Sequence, residues 1–200
     1  MSRIASAALL AAFAAPLMAQ TTPVEVKGAP VATSDLVPVA IDTSLGRIVI
    51  ALDRLHAPLT TANFLAYVDA HKYDGETFYR AMPYDTGGLI QGGISSDIRK
   101  LNKPVPFEST DQTGISNTAG TIAMAAPAPG QAQAAFFILT TDITGFDGPD
   151  GYAAFGHVVE GMDVVKAILA APVSTTKGDG AMKGQMLDPP VKILKTAQLK

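Results

Sequence analysis

The chain has 200 residues, a formal net charge of −3 at neutral pH, 16% charged residues, 18 glycines, 14 prolines and neither cysteine nor tryptophan. That length suits one ordinary domain with a real core, and the glycine and proline share fits a loop-rich β domain better than a helical bundle. The lack of cysteine excludes disulfides, thiol nucleophiles and Cys-ligated zinc, and the lack of a Lys/Arg cluster argues against nucleic acid or an anionic membrane as partner.

Residues 1–19 carry one cation, Arg3, then an apolar run from Ile4 to Met18 that ends in Ala19 before polar Gln20. The run is shorter than the ~20 residues of a membrane span and has the shape of a cleavable signal peptide. It predicts export to the periplasm or the medium, with cleavage after Ala19 and no membrane span in the mature protein. The missing Cys at the cleavage point argues against a lipoprotein. Residues 20–36 mix Thr, Pro, Ala and Gly without period and read as a linker, and residues 37–200 as the folded domain.

The domain opens on "VPVAIDTSLGRIVIALD", where Val39 and Ile41, then Ile48, Ile50 and Leu52, alternate on either side of a Thr-Ser-Leu-Gly break. That is a β-hairpin with one buried face. Pro58 and Thr60/Thr61 then start a helix whose apolar stripe is Phe64, Leu65 and Val68. A second helix falls in "GMDVVKAILAAP", with Val164, Val165, Ile168 and Leu169 on one side and Pro172 as its stop. Short β-like runs lie at Thr77–Arg80, Leu89–Gln91, Thr121–Ala125, Phe136–Thr140, Tyr152–Val158 and Val191–Leu194. Many short strands with two helices predict a closed antiparallel barrel, which removes exposed edges, with the helices covering its ends.

The usual catalytic sets are weak. His56, His71 and His157 have no metal-ligand spacing and no Ser/Asp partner pattern, so each reads as a surface or helix-end residue. "DITGFDGPDGY" does not satisfy a calcium-loop pattern and reads as a turn, and "QGGI" is too short for a phosphate loop. What remains is "FYRAMPYDTGGLIQGG". Arg80 and Gln91 fall on paired strands beside the Phe136/Phe137 strand, where they could form a polar rim around an apolar pocket. The competing reading is a surface arginine paired with an acid, and spacing alone leaves both open.

The segments "FYR", "LIQGG", "GTIAMA", "FFILTT" and "YAAFGHVVEGMDVVKAI" resemble, in the same order, those of cyclophilin-type peptidyl-prolyl cis–trans isomerases. The resemblance runs from about Val37 to the C terminus, and "GYAAFGHVVEGMDVV" is most similar to bacterial, extracytoplasmic members. It implies a mainly β fold, a closed eight-stranded antiparallel β-barrel capped by two α-helices. It implies isomerisation of X-Pro bonds in extracytoplasmic proteins during folding, on proline-containing polypeptide segments. It also implies a monomer that needs no cofactor and no metal.

Position by position, Arg80 matches the family's catalytic arginine and Gln91 the glutamine that holds it. Leu89 stands for a pocket-wall methionine, Phe137 for the proline-pocket phenylalanine, and Ala125 for an alanine whose backbone lies along the bound peptide. Phe146 falls where a pocket leucine is usual, and Tyr152 where many members have histidine. The departures are Ala126 for an asparagine, with Pro127 after it, Ala135 for a glutamine and Gly145 for a tryptophan. An insertion in "PYDTGGLIQ" leaves Gly88 where a phenylalanine is usual. Ala135 and Phe137 share strand parity, so the missing glutamine is a loss at the groove. The losses of tryptophan and asparagine imply weak binding of cyclosporin-type ligands. Two functions follow: an active isomerase with a simplified groove, or a catalytically weak cyclophilin-like module that binds proline-containing or unfolded segments.

Overall fold

The alternating run at the start of the domain pairs with itself. In the structure, a computed structural model that describes residues 35–95 and 97–200, strands β1 (Leu36–Thr43) and β2 (Gly46–Asp53) run antiparallel across a turn at Ser44-Leu45. Val39, Ile41, Ile48, Ile50 and Leu52 are all fully buried, as a period of two with one inner face requires. The expected signal peptide, and the expected linker up to residue 34, lie outside the described residues. Leu36, at the end of that expected linker, is already the first residue of β1.

The remaining elements are α1 (Pro58–Asp69), β3 (Thr77–Tyr84), β4 (Gly87–Gly93), α2 (Thr110–Thr113), β5 (Thr121–Met124), β6 (Phe136–Leu139), β7 (Ala154–Glu160), α3 (Met162–Leu169) and β8 (Met186–Gln198). The eight strands form a closed barrel in the order β1-β2-β7-β5-β6-β4-β3-β8, with β8 returning to β1. Every pairing is antiparallel. The expected barrel is therefore present.

Three details differ from the local reading. Strand β8 runs from Met186 to Gln198, far beyond the apolar run Val191–Leu194, because it pairs with β3 on one side and β1 on the other. Its length is set by partners rather than by its own hydrophobicity. Tyr152 belongs to a loop before β7, where its N–H donates to the Phe146 carbonyl at 2.9 Å. A short third helix, α2, and 3-10 turns at Ile98–Lys100, Thr144–Phe146 and Gly180–Met182 join the two expected helices. None of these has enough length to show a periodic stripe.

Both expected helices feed the core. Phe64 of α1 lies 5.1 Å from Tyr73, 5.3 Å from Phe136 and 5.4 Å from Phe155, ring centre to ring centre. Leu65 and Val68 are buried beside it. Helix α3 buries Val165 and Ile168, while Val164 and Leu169 are half-covered. Helix α1 starts with Pro58 in its first turn, where a missing N–H costs nothing. Its exposed N–H groups are met from a distance. Glu108 accepts from Leu59 N at 3.0 Å, Thr60 N at 2.7 Å and Thr60 Oγ1 at 2.6 Å. A carboxylate at a helix N-terminus also complements the dipole.

His56 and His71 are exposed in the turns after β2 and α1, and His157 lies on β7 with Nε2 3.0 Å from Thr121 Oγ1. Among the described residues no group of three or more His, Cys, Asp or Glu is placed to hold a metal. Nor is any of their helices long and apolar enough to cross a membrane.

Candidate active site

Strands β3, β4, β6 and β5 lie side by side, and one rung crosses all four. Arg80 is the partner of Gln91, Gln91 of Phe137, and Phe137 of Ala123. Cross-strand partners present their side chains on the same face, so the rung gathers Arg80, Gln91 and Phe137. A β-bulge sharpens the arrangement. Phe78 pairs with Gly92 and Arg80 with Gln91, so Tyr79 and Arg80 together oppose a single residue. The Gln91 side chain uses both: its Oε1 accepts from Arg80 Nη1 at 2.9 Å, and its Nε2 donates to Tyr79 Oη at 3.0 Å. The bulge also lets Phe78 point into the core while Arg80 points out of it.

The rung opens on a cavity of about 470 Å³. All seven residues singled out from the sequence line it: Arg80, Leu89, Gln91, Ala125, Phe137, Phe146 and Tyr152. Ala135 lines it too, so it does share the face of Phe137. Three rings make one end. Phe137 meets Phe146 at 5.9 Å and Tyr152 at 5.2 Å, and Phe146 meets Tyr152 at 4.9 Å, all edge to face. Such pairs are favourable beyond the area they bury. A smaller hollow of about 80 Å³ adjoins, sharing Ala126, Pro127 and Tyr152.

Sequence reasoning missed Tyr79, Met82, Met182 and Gln185. Met82 lies two residues past Arg80 on β3, so strand parity could have found it. It pairs across the hairpin with Leu89, and both line the cavity. Met82 thus supplies a thioether to the wall beside Leu89, and its Sδ accepts from Arg80 Nη2 at 3.3 Å. Gly88 permits that close hairpin. At φ +150° its Cβ would stand 2.0 Å from the Met82 carbonyl oxygen, so no larger residue fits. Met182 and Gln185 come from the turn before β8, which no local pattern connects to the site.

The electrostatics are simple. Among the described residues Arg80 makes no ion pair. Its partners are the neutral Gln91, Gln185 and Met82. The surface ion-pair reading therefore falls. Burial pulls the guanidinium pKa below its usual value, opposed by the Tyr79 and Tyr152 hydroxyls. Arginine stays protonated in such a setting. Burial likewise raises the Tyr79 pKa, against the hydrogen bond from Gln91 and the charge of Arg80, so its hydroxyl is neutral.

Residues 38–198 match the model of the family described as cyclophilin type peptidyl-prolyl cis-trans isomerase/CLD. This chain belongs to that family. The cyclophilin is 37% identical over 148 residues to a peptidyl-prolyl cis-trans isomerase of Streptomyces antibioticus, covering 70% of this chain and 87% of that one. It is 35% identical over 161 residues to one of Acinetobacter baylyi, covering 78% and 82%. In fold it matches a crystal structure of a Cryptosporidium parvum cyclophilin, determined in the presence of the dipeptide Ala-Pro. The TM-score is 0.67 at 20% identity, over 82% of this chain and 99% of that one. The cyclophilin is a peptidyl-prolyl cis–trans isomerase, and proline-containing peptides are its substrates.

Proposed function

We propose that Arg80 carries the catalytic step, and that the enzyme works on extracytoplasmic polypeptides. The observation that supports this most is a half-buried guanidinium, with no carboxylate among the described residues to neutralise it, at the edge of an apolar cavity. Rotation about a peptide bond costs ~18–20 kcal/mol because the C–N bond is partly double. At the twisted transition state that conjugation is lost, and the proline nitrogen becomes pyramidal and regains a lone pair. An N–H of Arg80 aimed at that lone pair makes a bond the planar ground state cannot accept. This is differential binding of the transition state. A charged donor in a partly dry groove supplies ~2–4 kcal/mol, or roughly two to three decades of rate.

Gln91 holds the arginine, and Phe137, Leu89, Phe146 and Tyr152 enclose the proline ring while the acyl side turns. Among the described residues, neither the Ala125 carbonyl nor the Ala126 N–H has a backbone partner. They belong to one trans peptide unit and point in opposite directions, so an extended peptide running past the end of β5 takes a main-chain bond from one of them, which needs no particular side chain at position 126. Export is supported by the leader-like residues 1–19 and by bacterial relatives. A monomer is supported by the closed barrel, which among the described residues leaves no free edge strand.

NMR exchange measurements on an Ala-Pro peptide test the role of Arg80. Arg80→Ala is expected to lower kcat/KM about 100- to 1000-fold with the fold intact. A variant as fast as the parent would remove Arg80 from the mechanism. Peptide binding without acceleration by the parent would favour the binding-module alternative.

A further inference from the structure

Gln91 holds only one side of the Arg80 guanidinium. The other side, Nε, donates to Gln185 Oε1 at 2.9 Å. A guanidinium held at one terminal nitrogen can still swing about its Cδ–Nε and Cγ–Cδ bonds. Held at Nε and Nη1 together, its plane is fixed. The bonds to Gln185, Gln91 and Met82 leave one N–H on Nη1 and one on Nη2 for other acceptors.

Gln185 is itself anchored. Its N–H donates to the Met182 carbonyl at 3.0 Å, and its carbonyl accepts from Ala81 N at 2.9 Å, one residue past Arg80. Arg80 also pairs across strands with Met186, the residue after Gln185. The preceding segment is closed on itself. Ser174 N donates to the Met186 carbonyl at 2.8 Å, and Lys177 Nζ meets Asp188 at 3.0 Å. Met182, on the same turn, lines the cavity.

We infer that Gln185 is a positioning residue: it aims the Arg80 guanidinium at the proline nitrogen from the Nε side, as Gln91 does from the Nη1 side. This rests on the reading of Arg80 as the catalytic residue. The chemistry of the side chain suits the task. A carboxylate in its place would hold Nε as well but would neutralise the charge that the transition state uses. A neutral amide oxygen orients the group and leaves its charge available. The turn 180–185 is then part of the active site, although it lies about a hundred residues from Arg80 in the chain.

A double-mutant cycle on the full chain tests this. Gln185→Ala, Arg80→Ala and the double variant are compared with the parent by NMR exchange on an Ala-Pro peptide, with kcat and KM separated. Gln185→Ala is expected to lower kcat about tenfold and to leave KM within about twofold, since the proline pocket is untouched. In the Arg80→Ala background the same change is expected to have no further effect. The Arg80 Nε–H resonance is expected to be protected from water exchange in the parent, where it is bonded to Gln185, and to lose that protection in Gln185→Ala. An unchanged kcat, or an equal fall in both backgrounds, would overturn the inference while leaving the role of Arg80 in place. A fully active Arg80→Ala variant would instead overturn the reading on which it rests.

Discussion

Phe136 and Phe137 are neighbours in the chain and serve opposite sides of one strand. Phe136 lies among core rings, 5.3 Å from Phe64 and 5.7 Å from Phe78, whereas Phe137 faces Phe146 and Tyr152 in the cavity. That split follows from a period of two and was legible in "FFIL". The convergence of Tyr79 and Arg80 on Gln91 was not, because a bulge is a property of two paired strands and "FYR" alone does not announce one. Residue identity also sets what the groove lacks. A Cβ on Gly145, the residue before the cavity-lining Phe146, would meet no atom within 4 Å, and its backbone is outside the left-handed region, so a side chain can be added there without strain. Calorimetric titration of a cyclosporin-type ligand is expected to show weak binding by the parent. Gly145→Trp is expected to tighten it about tenfold, the worth of one added aromatic contact. An unchanged Kd would mean that the absence of a side chain at Gly145 is not what weakens binding.

The 144–152 loop, which carries Phe146 and Tyr152, is held by polar groups outside the cavity. Asn117 Nδ2 donates to the Phe146 carbonyl at 3.1 Å, Asp147 Oδ1 at 2.9 Å and the Tyr152 carbonyl at 3.3 Å. That choice leaves its buried Oδ1 without a partner among the described residues. Asp147 also accepts from Asn117 N at 2.8 Å and from Ser116 Oγ. Burial alone would raise the Asp147 pKa, but the bonds from Ser116 and Asn117 outweigh it and hold the carboxyl below its ordinary value. The unfolded chain therefore takes up this proton first, near pH ~4, and the native carboxylate only at lower pH. The stability it contributes is whole above about pH 4 and is lost as the pH falls through the lower native value. Asp147→Asn is expected to lower Tm by a few degrees at pH 7, with the gap to the parent narrowing below about pH 4. KM for an Ala-Pro peptide is expected to rise more than kcat falls. A gap in Tm that stays constant into acid would show that the charge of Asp147 is not what holds the loop. Local sequence identified this segment as a turn but could not show its anchors, since Ser116 and Asn117 lie about thirty residues away. The cap of α1 by Glu108 was hidden for the same reason, whereas the α1 and α3 stripes were plain because a helix repeats within its own length.

At the scale of the whole molecule, closure decides what the chain needs. Strand β1 is paired on both sides, to β2 and to β8, and the last strand is tied further by Leu199 N to the Pro38 carbonyl at 2.8 Å. The barrel is thus complete from Leu36 to Gln198, nearly the same span as the family match at 38–198. Its interior is one cluster that runs from Val37 to Ile193 and takes in both covering helices. The site depends on this closure, because Arg80 on β3 is held between Gln91 of β4 and Gln185 at the entry to β8. A chain that begins at Thr33 keeps every one of these pairings, including the bond from Arg54 N to the Asp35 carbonyl. It is expected to match the full chain in Tm to within about a degree and in kcat/KM to within about twofold, and to run as a monomer in light scattering. A large drop in Tm would place part of the stabilising structure before Thr33. A loss of activity at unchanged Tm would place a substrate contact there, and either result would move the boundary of the working domain.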